Sequence, residues 1–389
     1  MIRLGNEGFI ENAAATLRGR RVGLVANATS FTPRMASLLR FCEESSEVRL
    51  AAVFAPEHGV AGLAQDMESV GGGRLASGVP VFSLYGADPS SLSPPDEAMD
   101  LVDVVVFDLQ DVGTRYYTFL WTMALCQKTC AEHGRELIVL DRPNPLGGEV
   151  VSGPVQREGF TSFVGLYPVP VRHGLTAGEM ARFLAAQHGL DAPLTVVPMR
   201  GWRRAMRFEE TGLPWIPPSP NMPSPATAAV YPGGCLIEGT TLSEGRGTTT
   251  PFEQFGAPGI DAVPFADALR ALDLAGCAFR PVTFRPAFQK HAGHACGGVY
   301  VHVTDRRAFD AFAVYAHALA LARRLFPDAW TWRREAYEFV RDIPAIDLLY
   351  GSDALRKRID EGGLVDDLVL DNDDTEAFRE TRRAFLLYE

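Results

Sequence analysis

The chain has 389 residues, of which 47% are hydrophobic, and its 37 basic and 48 acidic residues give a formal net charge of −11. This composition can fill a sizeable core and argues against intrinsic disorder, and the negative balance argues against binding to nucleic acid or anionic membranes. No stretch has the roughly 18 consecutive apolar residues of a membrane span.

The N-terminal sequence MIRLGNEGFIENAAATLRGRR lacks the apolar core of a secretory signal, so no export signal is expected. Reduced thiols in a cytoplasmic protein are the simplest interpretation of the scattered cysteines. These are Cys42, Cys126, Cys130, Cys235, Cys277 and Cys296.

The first part of the chain alternates short apolar runs with amphipathic segments. Polar residues repeatedly follow the apolar runs, a pattern typical of a parallel, doubly wound sheet with ligands at its carboxyl edge. No GxGxxG follows the first run, so a dinucleotide site is not supported. The predicted strands are 22–26, 48–54, 79–84, 102–107 and 137–140, with helices at 34–42 and from Tyr117 onward.

The segment Val102–Thr118, VDVVVFDLQDVGTRYYT, is predicted to lie at the centre of this sheet. Its apolar run fits a strand buried on both faces. Two carboxylates, Asp108 and Asp111, and a glycine turn follow directly before a helix pattern. This arrangement builds ligand crevices in open α/β sheets, although an N-cap and a simple turn would look the same.

The rest of the chain predicts further alternating elements. A proline-dense segment, 214–225, is interpreted as a rigid crossing between two lobes, with a site-lining loop as the alternative. The sequence therefore predicts a larger lobe at residues 1–224 and a smaller α/β lobe at residues 225–389. The expected strands are 163–171, 195–198, 279–284 and 298–303; the expected helices are 176–188, 308–325 and two within 345–388, separated by an acidic loop.

Several common catalytic motifs are absent. There is no GxSxG pentapeptide and no P-loop. His291, His294 and Cys296 have spacing that can bind zinc, but no fourth ligand is indicated, so neither a metal nor a cofactor is predicted.

Carboxylates are concentrated in glycine- and proline-rich turns. Ordering such a backbone is costly, which favours a functional reading over simple solvation. Two carboxyl groups in one crevice suffice to cleave a glycosidic bond. The residues alone predict a hydrolase or a sugar-binding protein with a carboxylate-lined cleft. The acids are Glu57, Asp108, Asp111, Asp141, Glu238, Glu244 and Glu253, accompanied by Arg115, Arg142, Arg172 and Arg246.

Long motifs in the chain resemble those of the exo-β-N-acetylmuramidase family. The motifs are FAPEHG, DLQDVGTRYYTF, VLDRPNPLGG, SFVGLYPVPVRHGLTAGEMA, PPSPNMP, YPGGCLIEGT and LSEGRGTTTPFEQFGAP, in one order over nearly the whole chain. The resemblance implies a Rossmann-like parallel-sheet lobe and a smaller α/β lobe with the active-site cleft between them. It also implies release of N-acetylmuramic acid from the non-reducing end of peptidoglycan fragments.

By position, the resemblance implies that Glu57 is the catalytic glutamate. Phe54 and Pro56 flank it, and an apolar setting suits a group that must donate a proton near neutral pH. A helix-capping or ion-paired Glu57 is the alternative. Asp111 is the preferred second carboxylate, with Glu244 and Asp108 as alternatives.

Muramic acid carries a lactyl carboxylate, which a planar guanidinium can bind with two hydrogen bonds. Arg115, Arg172 and Arg246 are the candidates for this contact. The Lys290–His291 pair is expected in the wall of the site. Further substrate contacts are expected from residues in the same motifs, each of which could instead stabilise its own loop. They are His58, Tyr116, Asp108, Asp141, Arg142, Asn144, His173, Asn221, Glu238, Glu244 and Thr248.

The segment 60–73 lacks the charged pattern expected after PEHG, which could alter the rim of the site. The expected substrates are peptidoglycan-derived muropeptides or the disaccharide of N-acetylmuramic acid and N-acetylglucosamine. Two alternatives stay open at this point. One is a glycosidase for another acidic amino sugar, and the other is a muropeptide-binding protein without turnover.

Overall fold

The structure is a computed structural model that describes residues 2–363, 365–369 and 373–389. Within these ranges the chain forms a seven-stranded sheet, a three-stranded sheet and a two-stranded pair. The predicted α/β class, with a large and mostly parallel sheet beside a smaller one, is confirmed. The strands are β1 (Arg21–Ala26), β2 (Arg49–Ala55), β3 (Gly73–Arg74), β4 (Pro80–Ser83), β5 (Val104–Asp108), β6 (Glu136–Leu140), β7 (Ser152–Val155), β8 (Pro170–Arg172), β9 (Leu194–Val197), β10 (Gln254–Ala257), β11 (Cys277–Phe284) and β12 (Cys296–Val303).

Helices connect and cover these strands. In the part of the chain that the structure describes, none of them is long and apolar enough to cross a membrane. The helices are α1 (Gly5–Glu11), α2 (Ala13–Leu17), α3 (Leu38–Glu44), α4 (Asp96–Met99), α5 (Phe119–Glu132), α6 (Ala177–His188), α7 (Pro225–Gly234), α8 (Ala262–Arg270), α9 (Ala311–Leu325), α10 (Ala345–Tyr350), α11 (Ala354–Asp360), α12 (Asp366–Val369) and α13 (Asp373–Thr381).

The large sheet has the strand order β3-β4-β2-β1-β5-β6-β9. All neighbours pair in parallel except the short edge strand β3, which is antiparallel to β4. The six parallel strands follow the doubly wound order, which reverses direction between β1 and β5. Their carboxyl ends therefore share one edge, from which the loops after β2, β4 and β5 extend.

The central strand β5 is buried along its whole length between β1 and β6. Val105 and Phe107 belong to the main apolar core, whereas Val104 and Val106 belong to the core on the opposite face. Side chains alternate between the faces of a strand, and this sheet is covered on both. An unbroken apolar run is therefore required here, as the sequence predicts.

Loop residues fill the crevice between β1 and β5. The backbone N–H of Gln110 donates to Thr29 Oγ1 at 3.0 Å, and Ser30 Oγ donates to the Asp108 carbonyl at 2.6 Å. These bonds tie the loops after β1 and β5 together at the strand-order reversal. The open side of the sheet edge lies instead near the loop after β2.

The smaller sheet has the order β10-β12-β11 and is antiparallel. Helices α8 and α9 pack on it, with Phe255 of β10 against Phe265 of α8 and Tyr315 of α9. Helix α7 leads into this part of the chain, and the Ser224 side chain caps it by accepting from the backbone N–H of Thr227 at 3.1 Å. The division into two lobes at residues 224 and 225 stays a prediction.

The structure corrects three element predictions. The helix expected at 34–42 begins only at Leu38, because the Ser37 side chain caps it by accepting from the backbone N–H of Arg40. Of the strand expected at 163–171, only Pro170–Arg172 is a strand, since Ser162 and Gly165 bond each other in a turn. The two helices expected in 345–388 are several short ones; Gly351, at φ +92°, ends the first.

The buried ion pair Asp108–Arg142 gives a test of the strand-edge architecture. Arg142 donates to both carboxylate oxygens of Asp108, at 2.7 and 2.9 Å. Asp108→Ala leaves a buried guanidinium without its counter-charge and should lower the free energy of unfolding by about 3–5 kcal/mol in urea titrations. The control is the partly exposed pair of Arg21, at the start of β1, and Asp103, just before β5. Asp103→Ala should lower the free energy of unfolding by only about 1 kcal/mol. Wild-type stability with lost activity in Asp108→Ala would instead place the pair at the substrate.

Candidate active site

A narrow chamber lies where the loops of the large sheet meet the chain that follows α7. It has a volume of about 40 Å³, room for only a few water molecules. It adjoins an outer cavity of about 500 Å³, a size typical of ligand pockets, and Asp66 and Glu238 line both. The chamber is lined by Glu57, His58, Asp66, Tyr116, Tyr117, Thr118, Val164, Ser219, Asn221, Met222, Tyr231, Glu238, Arg246, Phe252, Tyr337 and Glu338.

Glu57 lies two residues beyond the carboxyl end of β2 and is only 4% exposed. Thr118 Oγ1 donates to Glu57 Oε2 at 2.7 Å, and the backbone N–H of Met67 lies 3.4 Å from Oε1. Thr118 is the residue before α5, so the strand end and the helix start hold the carboxyl from two sides. A hydrogen bond donated to a carboxylate favours its charged form.

Glu338 enters the chamber from a tight turn. Tyr337 and Val340 exchange backbone hydrogen bonds of 2.9 Å, and the two residues between them have positive φ, +45° for Glu338 and +67° for Phe339. Such turns favour Asn-Gly, and each ordinary residue held in this region costs roughly 1–2 kcal/mol. The strain is offset by packing, since Phe339 contacts the Tyr85 ring edge-on at 5.6 Å.

The carboxyl of Glu338 is 5% exposed, and Tyr85 donates its hydroxyl to Oε2 at 3.1 Å. Burial, reinforced by the negative charge of Glu57, raises the pKa of Glu338 well above its ordinary range. Two carboxyl groups that differ in environment therefore line one chamber. This is the arrangement that acid–base cleavage of a glycoside uses.

Arg246 is surrounded by carboxylates. Its guanidinium lies 2.5 Å from Asp66, 2.6 Å from Glu238 and 3.2 Å from Glu244, and stacks on the Phe252 ring. Burial raises the pKa of Glu238 despite the nearby guanidinium. The positive charge of Arg246 is therefore already paired with carboxylates of the protein.

Lys290 and His291 line the outer cavity. Lys290 Nζ donates to Glu244 Oε2 at 2.8 Å. His291 Nε2 lies 2.8 Å from the Thr241 carbonyl, and His294 Nδ1 lies 3.0 Å from the Ala292 carbonyl. Within the described ranges, no three His, Cys, Asp or Glu side chains converge as metal ligands would.

The chamber and the outer cavity bring together part of the predicted site. His58 also holds its own loop, because Nδ1 lies 2.9 Å from the Ala64 carbonyl, and Asn221 donates to Gln65 Oε1 at 2.9 Å. The sequence-predicted residues that line these two spaces are Glu57, His58, Tyr116, Asn221, Glu238, Glu244, Arg246, Lys290 and His291.

The remaining predicted arginines lie elsewhere. Arg115 is fully buried and donates to three backbone carbonyls, those of Pro154, Val169 and Leu349. Arg172 donates to the Leu146 carbonyl and lines a separate cavity. Arg142 pairs with Asp108 as described above. Backbone carbonyls and a buried carboxylate occupy these guanidinium groups, so they are not placed to bind a lactyl group in the cavity.

Other predicted contacts stabilise loops. Asp141 accepts hydrogen bonds from the hydroxyl of Thr176 and the backbone N–H of Gly178 at the start of α6, and burial raises its pKa to about 6. Asn144 Nδ2 donates to the Leu175 carbonyl at 2.9 Å. Thr248 Oγ1 donates to the Gly245 carbonyl at 2.6 Å. None of these three is among the described residues that line the chamber or the outer cavity.

Asp111 and His173 form a buried pair. Asp111 Oδ2 accepts from the backbone N–H of Gly113 at 2.6 Å and lies 4.0 Å from His173 Nε2. Burial raises the pKa of Asp111 to about 7 and lowers that of His173 to about 3. Both groups therefore tend to be neutral, which limits the cost of burying them together. Neither lines the chamber or the outer cavity within the described residues.

Among the residues of the site that sequence reasoning missed are Asp66, Thr118, Glu338 and Arg333. Asp66 lies in the segment 60–73, which lacks the charged pattern expected after PEHG. Thr118 is the penultimate residue of the DLQDVGTRYYTF motif, and its hydroxyl was the signal that could have identified it. Glu338 and Arg333 lie in a region without a distinctive motif and reach the cavity only through the fold.

The raised pKa of Asp111 predicts a pH effect on stability. Because the pKa of Asp111 is higher in the folded state than in the unfolded state, its contribution to stability is complete below the unfolded pKa of about 4. That contribution is lost as the pH rises through the folded pKa of about 7. Asp111→Asn has no proton to lose. The drop in unfolding free energy between pH 5 and pH 8 should therefore be about 2 kcal/mol smaller than in wild type, measured by urea titration, with activity within about tenfold. A loss beyond about 100-fold in a stable variant would support the sequence-based role of Asp111 as second carboxylate.

Comparison with known proteins shows the family of this chain. Models of exo-β-N-acetylmuramidase NamZ match residues 22–226 (N-terminal) and 229–388 (C-terminal). The peptidoglycan β-N-acetylmuramidase NamZ of Bacillus subtilis (strain 168) is 40% identical over 389 residues, which cover 100% of this chain and 91% of that protein. Crystal structures of two DUF1343 family proteins from Bacteroides fragilis NCTC 9343 superpose with TM-scores of 0.88 and 0.75, at 34% and 29% identity, each covering 100% of this chain and 99% of theirs. This chain belongs to the exo-β-N-acetylmuramidase NamZ family of glycoside hydrolases.

Proposed function

We propose that the protein releases N-acetylmuramic acid from the non-reducing end of peptidoglycan-derived muropeptides or of the disaccharide with N-acetylglucosamine, and that Glu57 is one of its catalytic carboxyl groups. The observation that carries the proposal is the position of Glu57. Its buried carboxyl lies in the wall of a narrow chamber that widens into a ligand-sized cavity. The outer cavity, at about 500 Å³, has room for a sugar next to this chamber.

The polar walls suit an amino sugar. Polar side chains that line the chamber with Glu57, such as Ser219 and Asn221, can bind the hydroxyl and acetamido groups of a sugar. The aromatic rings of Tyr116 and Tyr231 also line the chamber and can pack against the sugar. The Tyr116 hydroxyl is buried without a partner among the described residues, which leaves a donor available to a ligand.

The lactyl carboxylate requires a cation that the protein has not already neutralised. Arg333 lines the outer cavity, and its guanidinium has no carboxylate within 4.0 Å in the described ranges. It stacks on the Tyr337 ring at 5.1 Å, which orients it without neutralising it. We assign the lactyl contact to Arg333, because Arg246 and Lys290 are both paired with carboxylates.

The cytoplasm is the proposed place of action. All six cysteines are unpaired, and five of them are buried. Buried free thiols, including Cys126 and Cys130 one helical turn apart on α5, suit a reducing compartment. The substrates would then be fragments that have entered the cell.

Cleavage of two chromogenic substrates tests the activity. The 4-nitrophenyl β-N-acetylmuramide should be cleaved, and the corresponding β-N-acetylglucosaminide should be cleaved much more slowly because it lacks the lactyl group. Glu57→Gln should lower kcat by at least about 100-fold with little change in melting temperature, since it removes an ionisable carboxyl but keeps its shape. Glu47→Gln, an exposed glutamate before β2, is the control. Equal cleavage of both substrates would favour a broader glycosidase, and binding without cleavage would favour a muropeptide-binding protein.

Substitution of Arg333 tests the origin of lactyl selectivity. Arg333→Gln removes a charge-assisted contact and should lower kcat/KM for the muramide by about 10- to 100-fold. Cleavage of the glucosaminide, measured with the same chromophore, should hardly change. Arg334→Gln alters an exposed neighbour and should affect neither substrate. A parallel loss on both substrates would show that Arg333 maintains the cavity rather than reading the lactyl group.

A further inference from the structure

We propose that Glu338 is the second carboxyl group of the reaction and donates the proton to the leaving oxygen, with Glu57 as its ionised partner. This inference rests on the proposed function and deepens it by dividing the roles of acid and carboxylate. It changes the sequence-based expectation that Glu57 itself is the proton donor.

The backbone of Glu338 is the first observation. The turn 337–340 places two ordinary residues, Glu338 and Phe339, in the left-handed region that glycine and asparagine prefer. Strained backbone of this kind is concentrated at functional sites, because surrounding structure must hold it in place. The strain directs a carboxyl into the chamber and not to solvent, since Glu338 is 5% exposed.

The second observation is a contact across the two parts of the molecule. Tyr85 follows β4 at the carboxyl edge of the large sheet, and it donates its hydroxyl to Glu338 Oε2. Phe339 packs against the same tyrosine ring. The turn is therefore fixed to the large sheet, and the Glu338 carboxyl is held opposite the loop that carries Glu57. An amide at this position could also accept the Tyr85 hydrogen bond, but only a carboxyl group can donate a proton to a leaving group.

The third observation is the distribution of charge. Arg246, the guanidinium of the chamber, contacts Asp66, Glu238 and Glu244, and no cation lies within 4.0 Å of Glu338 in the described ranges. A buried carboxyl without a cation keeps its proton. The ionisable and charged groups that line the chamber with Glu338, or bond to it from neighbouring elements, are Glu57, His58, Asp66, Tyr85, Tyr116, Tyr117, Tyr231, Glu238, Arg246 and Tyr337.

Glu57 has the complementary environment. Thr118 donates a hydrogen bond to its carboxylate at 2.7 Å from the start of α5, where the helix dipole also favours negative charge. Two carboxyl groups with different hydrogen-bond partners thus face one chamber. The burial of Glu338 and the charge of Glu57 both raise the pKa of Glu338.

The proposed step conserves protons and electrons. Glu338 transfers its proton to the glycosidic oxygen as the bond from that oxygen to C1 breaks, and the electron pair of the bond remains with the oxygen. Ionised Glu57 stabilises the positive charge that develops on the muramic acid ring. Water then forms the new bond to C1 and loses a proton to a carboxylate. The enzyme ends with one carboxyl and one carboxylate, as it began.

Leaving-group dependence separates the two roles. A 2,4-dinitrophenolate leaves without a proton, whereas the sugar of the natural disaccharide does not. Glu338→Gln should therefore lose about 10²- to 10⁴-fold in kcat/KM on the disaccharide but less than about tenfold on 2,4-dinitrophenyl β-N-acetylmuramide. Glu57→Gln should lose heavily on both substrates. Asp342→Asn, an exposed acid in the same segment, should match wild type on both.

The pH profile supplies an independent measurement. The wild-type kcat/KM for the disaccharide should fall on the basic side as Glu338 loses its proton, and this limb should be absent in Glu338→Gln. Tyr85→Phe should shift the limb to higher pH, because the donated hydrogen bond favours the ionised form of Glu338. Because Tyr85→Phe keeps the Glu338 carboxyl, it tests the role of Glu338 as proton donor even if Glu338→Gln is unstable.

The outcomes are distinct. Equal losses on both substrates in a folded Glu338→Gln, no loss on either, or an unshifted basic limb in Tyr85→Phe would overturn the assignment. Selective loss on the disaccharide in Glu57→Gln would return the proton-donor role to Glu57. If wild type cleaves neither muramide, the proposed function itself fails, and the result says nothing against the geometry of the pair.

Discussion

An excess of buried carboxyl groups over cations is the constraint on which the site depends. Arg246 and Lys290 are both paired with carboxylates, and they cannot neutralise every acid that lines the chamber and the outer cavity. Burying an unpaired carboxylate is so unfavourable that protons must make up the difference. The buried or half-buried acids of these two spaces are Glu57, Asp66, Glu238, Glu244 and Glu338. Among them, burial raises the pKa of Glu238 and of Glu338, so the chamber contains carboxyl groups that keep a proton more readily than exposed ones do, which suits a glycoside hydrolase.

The carboxyl edge of the large sheet serves structure and chemistry at different strands. At the ends of β5 and β6, the acidic residues make contacts within the protein. Asp108 forms an ion pair with Arg142, and Asp141 accepts a hydrogen bond from the backbone at the start of α6. At β2 the edge is open, and Glu57 faces the chamber. The difference follows from strand order, because the loop after β1 fills the crevice beside β5, whereas β2 lies one strand further towards the sheet edge.

The strands of the large sheet could be predicted well because each one is marked by residues that are adjacent in the sequence. The apolar run of β5 needs no knowledge of the rest of the chain, and a polar residue at a strand end must lie at the sheet edge. The roles of those polar residues are not local. Arg115 sits in a promising glycine-flanked motif, yet it donates to carbonyls that lie 39 to 234 positions away in the chain. Glu338 lies in a turn that sequence preferences disfavour, and its partner Tyr85 is 253 positions away.

Contacts across the chamber join the loops of the large sheet to the second part of the chain. Asp66, on the loop after β2, bonds Arg246 and Gln289 of the second part of the chain, while Tyr85 bonds Glu338. Asn221, in the proline-dense segment, bonds Gln65 on the same loop. Each contact joins polar groups that would otherwise be buried without partners, so separating the two parts would break several at once. The outer cavity, where Arg333 lies, is the space with room for a sugar, and it shares Asp66 and Glu238 with the chamber. The contacts that join the two parts of the chain therefore also fix the carboxyl groups between the chamber and the outer cavity.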